Sequence, residues 1–171
     1  NIPSAWVARK RESMARLAPQ YSANRTVRQY TETYYLQAAA DYRARAGDKG
    51  TIGNQLAGWI CSLKQNWDGI RFGAVRIKTE SEHHTFEVEI CLNNLDPNAI
   101  QVELYADASG TNGQERQLMT LKGQVHDSPV THIYRALVPA TRPASDFTPR
   151  VVPYFPGASV PLEASFILWE R

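Results

Sequence analysis

Along the first third of the chain, apolar and aromatic residues recur at steps of three and four, and after residue 70 the step shortens to two. The early pattern predicts helices. Ser4 caps a first one running to about Leu17, with Trp6, Met14 and Leu17 near one face, and Pro19 is expected to stop it because proline cannot donate to the helical ladder. Ser22 or Asn24 caps a second, in which Val27, Tyr30, Thr31, Tyr34 and Ala38 form a stripe that continues to about Arg45, where Gly47 closes the helix. Ile52, Leu56, Trp59, Ile60, Leu63 and Trp67 predict a third with a wide apolar face, ending at Asp68-Gly69.

The later pattern predicts half-buried antiparallel strands, as in Phe86-Glu87-Val88-Glu89-Ile90 and Ile100-Gln101-Val102-Glu103-Leu104, where apolar and charged residues alternate. Seven candidates emerge, at about 71–80, 85–92, 100–106, 116–122, 131–138, 148–155 and 165–170. Turn residues separate them: Asn93 to Pro97, Ser109 to Gly113, Asp127 to Pro129, and Phe155 to Gly157. Pro149 and Pro153 mark the sixth candidate as an edge or bulged strand, since proline leaves a ladder donor missing. Strands of this length and spacing argue for a two-sheet immunoglobulin-like sandwich. The expected class is therefore α+β: about three N-terminal helices, then an all-β antiparallel sandwich. The expected division is 1–46, a linking amphipathic helix at 47–69, and the sandwich at 70–171.

With 19 basic and 17 acidic residues the formal charge is +2, too little to build a long-range field for nucleic acid or anionic lipid. Arg9-Lys10-Arg11 reads as a solvated helix face. No apolar run reaches the length of a membrane span, and the expected location is cytoplasmic. Cys61 and Cys91 fall in a helix and a strand and read as buried or half-buried thiols rather than a disulfide framework.

Few residues carry catalytic patterning. His83-His84 lacks a third ligand at metal spacing and reads as a solvated hairpin. His126 and His132 flank a turn with serine and aspartate, but no activated-serine elbow accompanies them. No catalytic or metal site is assigned. Among the aromatic residues Trp67, Tyr105, Tyr154, Phe155 and Trp169, core packing is the ordinary role, and a sugar-stacking platform formed by Trp67, Tyr154 and Phe155 is the alternative. The proline-rich stretch 140–150 reads as a long connection or as a loop ordered by a partner.

The stretch from Trp6 to Tyr30, with its core Tyr21-Ser22-Ala23-Asn24-Arg25-Thr26-Val27-Arg28-Gln29-Tyr30, resembles the carboxyl-terminal helices of glycogen and α-glucan phosphorylases. In that family a tryptophan helix precedes a Phe/Tyr-Ser-x-x-Arg-Thr-Val/Ile-x-x-Tyr helix. Residues 95–97, 138–144 and 148–153 are similar to an extra carboxyl-terminal domain of some bacterial members. The resemblance implies a piece of a larger enzyme, consistent with a chain that starts at asparagine and is in helical sequence by Ser4. It implies that the parent moves glucosyl units between an α-1,4-glucan and phosphate with pyridoxal phosphate, and that residues 1–46 close its catalytic region. Val27, Tyr30 and Tyr34 would then face the preceding catalytic domains of the same polypeptide. Asp107-Ala108-Ser109-Gly110-Thr111 is similar to the family's sequence before the cofactor lysine, but the lysine position holds Glu115, which cannot form an aldimine. The fragment itself is thus expected to hold no cofactor and to serve as an accessory domain for docking, stability or assembly. The competing class is a glucan-binding module, and self-association through the helical stripe stays open.

Overall fold

Leu63, Ile70, Phe86, Val88, Ile90, Val102, Leu104, Val138 and Val151 are fully buried in one apolar cluster, and it organises everything from Asn54 onward. The computed structural model describes residues 3–108, 113–125 and 128–171. The expected loop at Ser109–Gly113, except Gly113, and His126 with Asp127 lie outside the described residues. The chain forms two compact units, Asn1–Gly53 and Asn54–Arg171.

The first unit is helical. Helix α1 spans Ser4–Tyr21 and α2 spans Ala23–Tyr30. A π turn at Thr31–Tyr35 leads into α3, Leu36–Asn66. Pro19 does not end α1 at Leu17 as expected. It removes one donor within the last turn, and the helix continues to Tyr21 before Ser22 turns extended. Ser22 then caps α2, its hydroxyl accepting from the Arg25 amide at 3.3 Å. Helical dihedrals break inside α3 at Gly47 (ψ 161°), followed by Asp48, Lys49 and Gly50 at φ of 46°, 56° and 79°. The last suits glycine, whereas Asp48 and Lys49 are held in a left-handed conformation that disfavours a Cβ. Thr51 Oγ1, donating to the Asp48 carbonyl at 2.7 Å, ties this turn together.

In the second unit, the final turns of α3 bury Leu56, Trp59 and Leu63 in the common core, and a 3-10 turn at Trp67–Gly69 adds Trp67. The helical spacing of these residues is what makes one face apolar enough to be covered. Full burial of Leu63 alone contributes about 2 kcal/mol.

Eight antiparallel strands follow among the described residues: β1 Arg71–Thr79, β2 His83–Cys91, β3 Ile100–Ala106, β4 Glu115–Leu118, β5 Thr120–Val125, β6 Ser128–Pro139, β7 Thr148–Pro153 and β8 Leu168–Trp169. One sheet has the order β1-β2-β6-β5, the other β4-β3-β7-β8. The period of two appears directly in the register. Phe86, Val88 and Ile90 lie opposite Ala136, Tyr134 and His132, and Val102 lies opposite Val151. All eight side chains are buried.

Two strand expectations require correction. The single candidate at 116–122 is two strands in different sheets, divided at buried Met119, whose amide donates to the Val102 carbonyl at 2.8 Å. The apolar pattern runs on through this crossing, so it leaves no break in the sequence. β7 is flanked on both sides rather than lying at an edge. Its prolines are tolerated because β8 pairs only with Arg150 and Val151, between Pro149 and Pro153.

Candidate functional site

The outward positions of β3 and β7 put Glu103 opposite Arg150 and Gln101 opposite Val152. Arg150 directs Nε and Nη2 to Glu103 Oε1 at 2.6 and 2.5 Å. Its guanidinium also lies 4.2 Å from the Tyr105 ring centre and 4.9 Å from that of Trp169, so a charge on a sheet surface becomes a packed, neutralised element. Tyr105 and Trp169 meet edge to face at 5.3 Å. The Tyr105 hydroxyl donates to Asp107 Oδ1 at 2.8 Å, and this bond raises its pKa by favouring the protonated form.

Beside this cluster lies a concavity of about 430 Å³ that includes Gln101, Glu103, Arg116, Arg150, Tyr154 and Phe155 in its wall. A second, also about 430 Å³ and more apolar, is bounded by Ile100, Met119, Leu121 and Tyr134. Gln101, Tyr154 and Pro156 line both, so the two adjoin at Tyr154.

The proposed stacking residues separate. Tyr154 is 40% exposed, and its amide is anchored to the Ala99 carbonyl at 2.9 Å. Phe155 is half-buried against Trp59, ring centres 5.5 Å apart. Trp67, 7% exposed, packs on Phe166 at 5.3 Å within the core. Tyr154 and Phe155 thus line the first concavity, whereas Trp67 lines neither.

Tyr134 is 4% exposed, and its hydroxyl has no hydrogen-bond partner among the described residues. Burial, with a smaller contribution from nearby Asp96, pushes its pKa up to about 12. The unfolded chain releases this proton near pH 10, and the folded chain retains it to about pH 12. The associated stability is complete below pH 10 and is lost as pH rises through that window. Tyr134→Phe should abolish that part of the alkaline loss, measured as the difference between wild-type and variant denaturation midpoints from pH 9 to 12. Parallel wild-type and variant curves would contradict it.

Three expectations about polar side chains change. His84 is not on a solvated hairpin but is buried, with Nδ1 2.9 Å from Thr79 Oγ1 and Nε2 3.0 Å from the Arg142 carbonyl. The signal was present in its phase, since His84 shares the alternating register of Phe86, Val88 and Ile90. Cys61 is exposed rather than buried, whereas Cys91 is half-buried. The 140–150 connection is held by buried Arg142, which donates to the Asp107 carbonyl (2.8 Å), the Gly113 carbonyl and Asp146 Oδ2 (both 3.3 Å). No periodic signal marks that arginine. Among the described residues no group of three or more His, Cys, Asp or Glu side chains could hold a metal, and no helix is long and apolar enough to cross a membrane.

In the helical unit no described residue is buried. Val27, Tyr30 and Tyr34 are exposed, and the two tyrosine rings lie 6.0 Å apart on successive turns.

The profile of the glycogen phosphorylase C-terminal domain family matches residues 67–171, well over half of the chain. The chain belongs to that family. Over 102 residues it is 28% identical to the maltodextrin phosphorylase of Thermococcus litoralis, covering 58% of this chain and 12% of that protein. Over 74 residues it is 32% identical to the glycogen phosphorylase of Mycobacterium tuberculosis, covering 43% of this chain and 9% of that protein. The matched stretch thus spans about a tenth of the length of these relatives. No solved structure matches the chain.

Family membership raises the question of pyridoxal phosphate, and the residues present do not fit it. Glu115 stands on β4 at the look-alike position. Lys10, Lys49, Lys64, Lys78 and Lys122 are all exposed, whereas a lysine forming an imine needs a desolvating pocket to lower its pKa.

Proposed function

We propose that the chain is the carboxyl-terminal portion of an α-glucan phosphorylase and contributes stability and assembly rather than chemistry. The parent reaction in this reading is pyridoxal phosphate-dependent glucosyl transfer between an α-1,4-glucan and phosphate, in the cytoplasm, on domains that precede residue 1. The observation carrying the accessory role is the helical unit: it presents Val27, Tyr30 and Tyr34 to solvent and buries none of its own described residues. An apolar stripe of this kind calls for a covering partner. The relatives' names and their much greater length support a partner within the same polypeptide.

The strand orders support an immunoglobulin-like reading of the accessory domain. β1-β2-β6-β5 follows the A-B-E-D sheet, and β3-β7-β8 follows C-F-G with β4 added beside C. Because such sandwiches host many unrelated roles, the docking role rests on the exposed helical stripe and not on the strand order.

Borohydride reduction of the full-length polypeptide with pyridoxal phosphate, followed by peptide mapping, tests the reading. One lysine should be labelled in the preceding portion and none within residues 1–171. A stoichiometric label on Lys122 or another lysine of this chain would overturn it.

A further inference from the structure

We infer that residues 4–46 fold only as they dock, by entering a cleft on the preceding portion of the same polypeptide that is apolar on both walls and holds a carboxylate for Arg25. This rests on the docking of Val27, Tyr30 and Tyr34 proposed above, and specifies when the helices form and what receives them.

The helices have little of their own to hold them. α1 has no side-chain cap at its start, no acidic residue in its first turn and no basic residue in its last, and Pro19 removes a donor from its final turn. α2 yields after eight residues to a π turn, a rare geometry, at Thr31–Tyr35. Isolated helices are at best marginal in water and ordinarily persist because one face is packed, yet no described residue of this unit is buried. Support cannot spread from the end of α3 that packs in the β unit, because the helical backbone breaks from Gly47 to Gly50.

Exposed apolar residues set the shape of the partner. Tyr34, Tyr35 and Leu36 are consecutive and 59, 61 and 61% exposed. Successive helical residues diverge by roughly 80–100°, so these three sweep about half the circumference, more than one flat surface covers. A helix apolar around this much of its surface belongs inside something.

Charge sets the chemistry of the far wall. Residues 1–53 carry nine basic and four acidic residues, and residues 54–171 carry ten and thirteen, so the balance of +2 conceals a helical unit at +5. Arg25 is the most informative of these cations. It is the third residue after the Ser22 cap, where a glutamate would bond back to the cap amide and favour the helix dipole, and arginine does neither. Its guanidinium meets a neutral group, donating to Gln29 Oε1 at 3.0 Å. A cation placed against its own helix is accounted for by a carboxylate on the surface that receives it. Arg25 and Val27 lie about 200° apart around α2, so that carboxylate stands opposite the wall that takes the stripe.

Hydrogen exchange read by mass spectrometry, on the 171-residue chain and on the full-length polypeptide, tests the inference. In the first, amides of residues 4–46 should exchange nearly as fast as in an unstructured chain while the strands stay protected; in the second they should be protected about 100-fold or more. Leu36→Glu and Arg25→Glu should each raise their exchange in the full-length polypeptide about tenfold or more, whereas Arg25→Lys stays within about threefold. In the 171-residue chain, Arg25→Glu should leave the far-UV helical signal unchanged or higher, which separates loss of a partner from loss of the helix. Strong protection of residues 4–46 in the 171-residue chain, wild-type exchange in either full-length glutamate variant, or a lower helical signal in isolated Arg25→Glu would each overturn the inference. Binding of the 171-residue chain to phosphatidylcholine–phosphatidylserine vesicles, lost in Arg25→Glu, would do so by assigning the cation to a lipid surface. If the full-length polypeptide still gains protection that Tyr30→Glu removes, docking survives without the cleft. No gain in protection removes docking as well.

Discussion

Tyr30→Glu in the full-length polypeptide should lower its thermal midpoint and expose the helical unit to protease, while the β unit of the isolated chain is hardly altered. Tyr30 lies beside Tyr34 on an exposed face, so in the isolated chain the change is a surface substitution worth no more than ~0.5 kcal/mol. In the parent, the same carboxylate would be pressed into an apolar contact and lose its hydration. A central interface aromatic of this kind costs about 2 kcal/mol or more when it is lost, before the buried charge is counted. Differential scanning calorimetry of both proteins provides the measurement. Equal destabilisation would assign Tyr30 to the packing of the β unit and end the docking proposal. A wild-type midpoint in the full-length variant would do the same. Sedimentation of the isolated chain distinguishes the other occupant, since a dimer dissociated by Tyr30→Glu would make a second copy the partner.

Arg142→Ala should destabilise the isolated chain by about 3 kcal/mol, lowering its thermal midpoint by roughly 6–12 °C. The side chain is 4% exposed and ties its own loop, at Asp146, to two places distant in sequence, the end of β3 at Asp107 and Gly113 before β4. Its backbone carbonyl meets His84. Its guanidinium also sits 5.5 Å from the Phe147 ring centre, and Phe147 packs edge to face on Phe86 in the core. Truncation therefore leaves two carbonyls and a carboxylate without their donor and removes cover from a core aromatic. Arg142→Lys should recover only part of the loss, because one ammonium cannot span the same fork. A fall of less than about 1 kcal/mol for Arg142→Ala would show that water satisfies those acceptors and that the loop does not depend on the arginine.

Both predictions rest on features with different visibility in the sequence. The stripe through Val27, Tyr30 and Tyr34 was legible because helical spacing alone puts those residues on one side. His84 was legible in principle through its phase with Phe86, Val88 and Ile90, although adjacent His83 suggested an exposed pair. The same phase joins His132 and Tyr134 to Ala136 and Val138. Arg142 was not legible, because a buried arginine in a turn is justified only by the two carbonyls that the end of β3 and the segment before β4 bring to it. The Glu103–Arg150 pair depends likewise on the register of β3 with β7, which places the two residues opposite each other across 47 positions of chain.

The sequence by itself determined the local periods, and with them the helices at the start, the alternating strands after residue 70, the apolar face of Leu56, Trp59 and Leu63, and the family resemblance. These are nearest-neighbour properties, set by the 3.6-residue and two-residue repeats of the backbone. Tertiary structure alone decided that Met119 divides two sheets, that proline-bearing β7 lies inside one, and that Tyr154 lines two adjoining concavities. Each of these depends on which strand lies beside which. That pairing is selected by the simultaneous burial of both sheets' inner faces, a sum over contacts far apart in the chain.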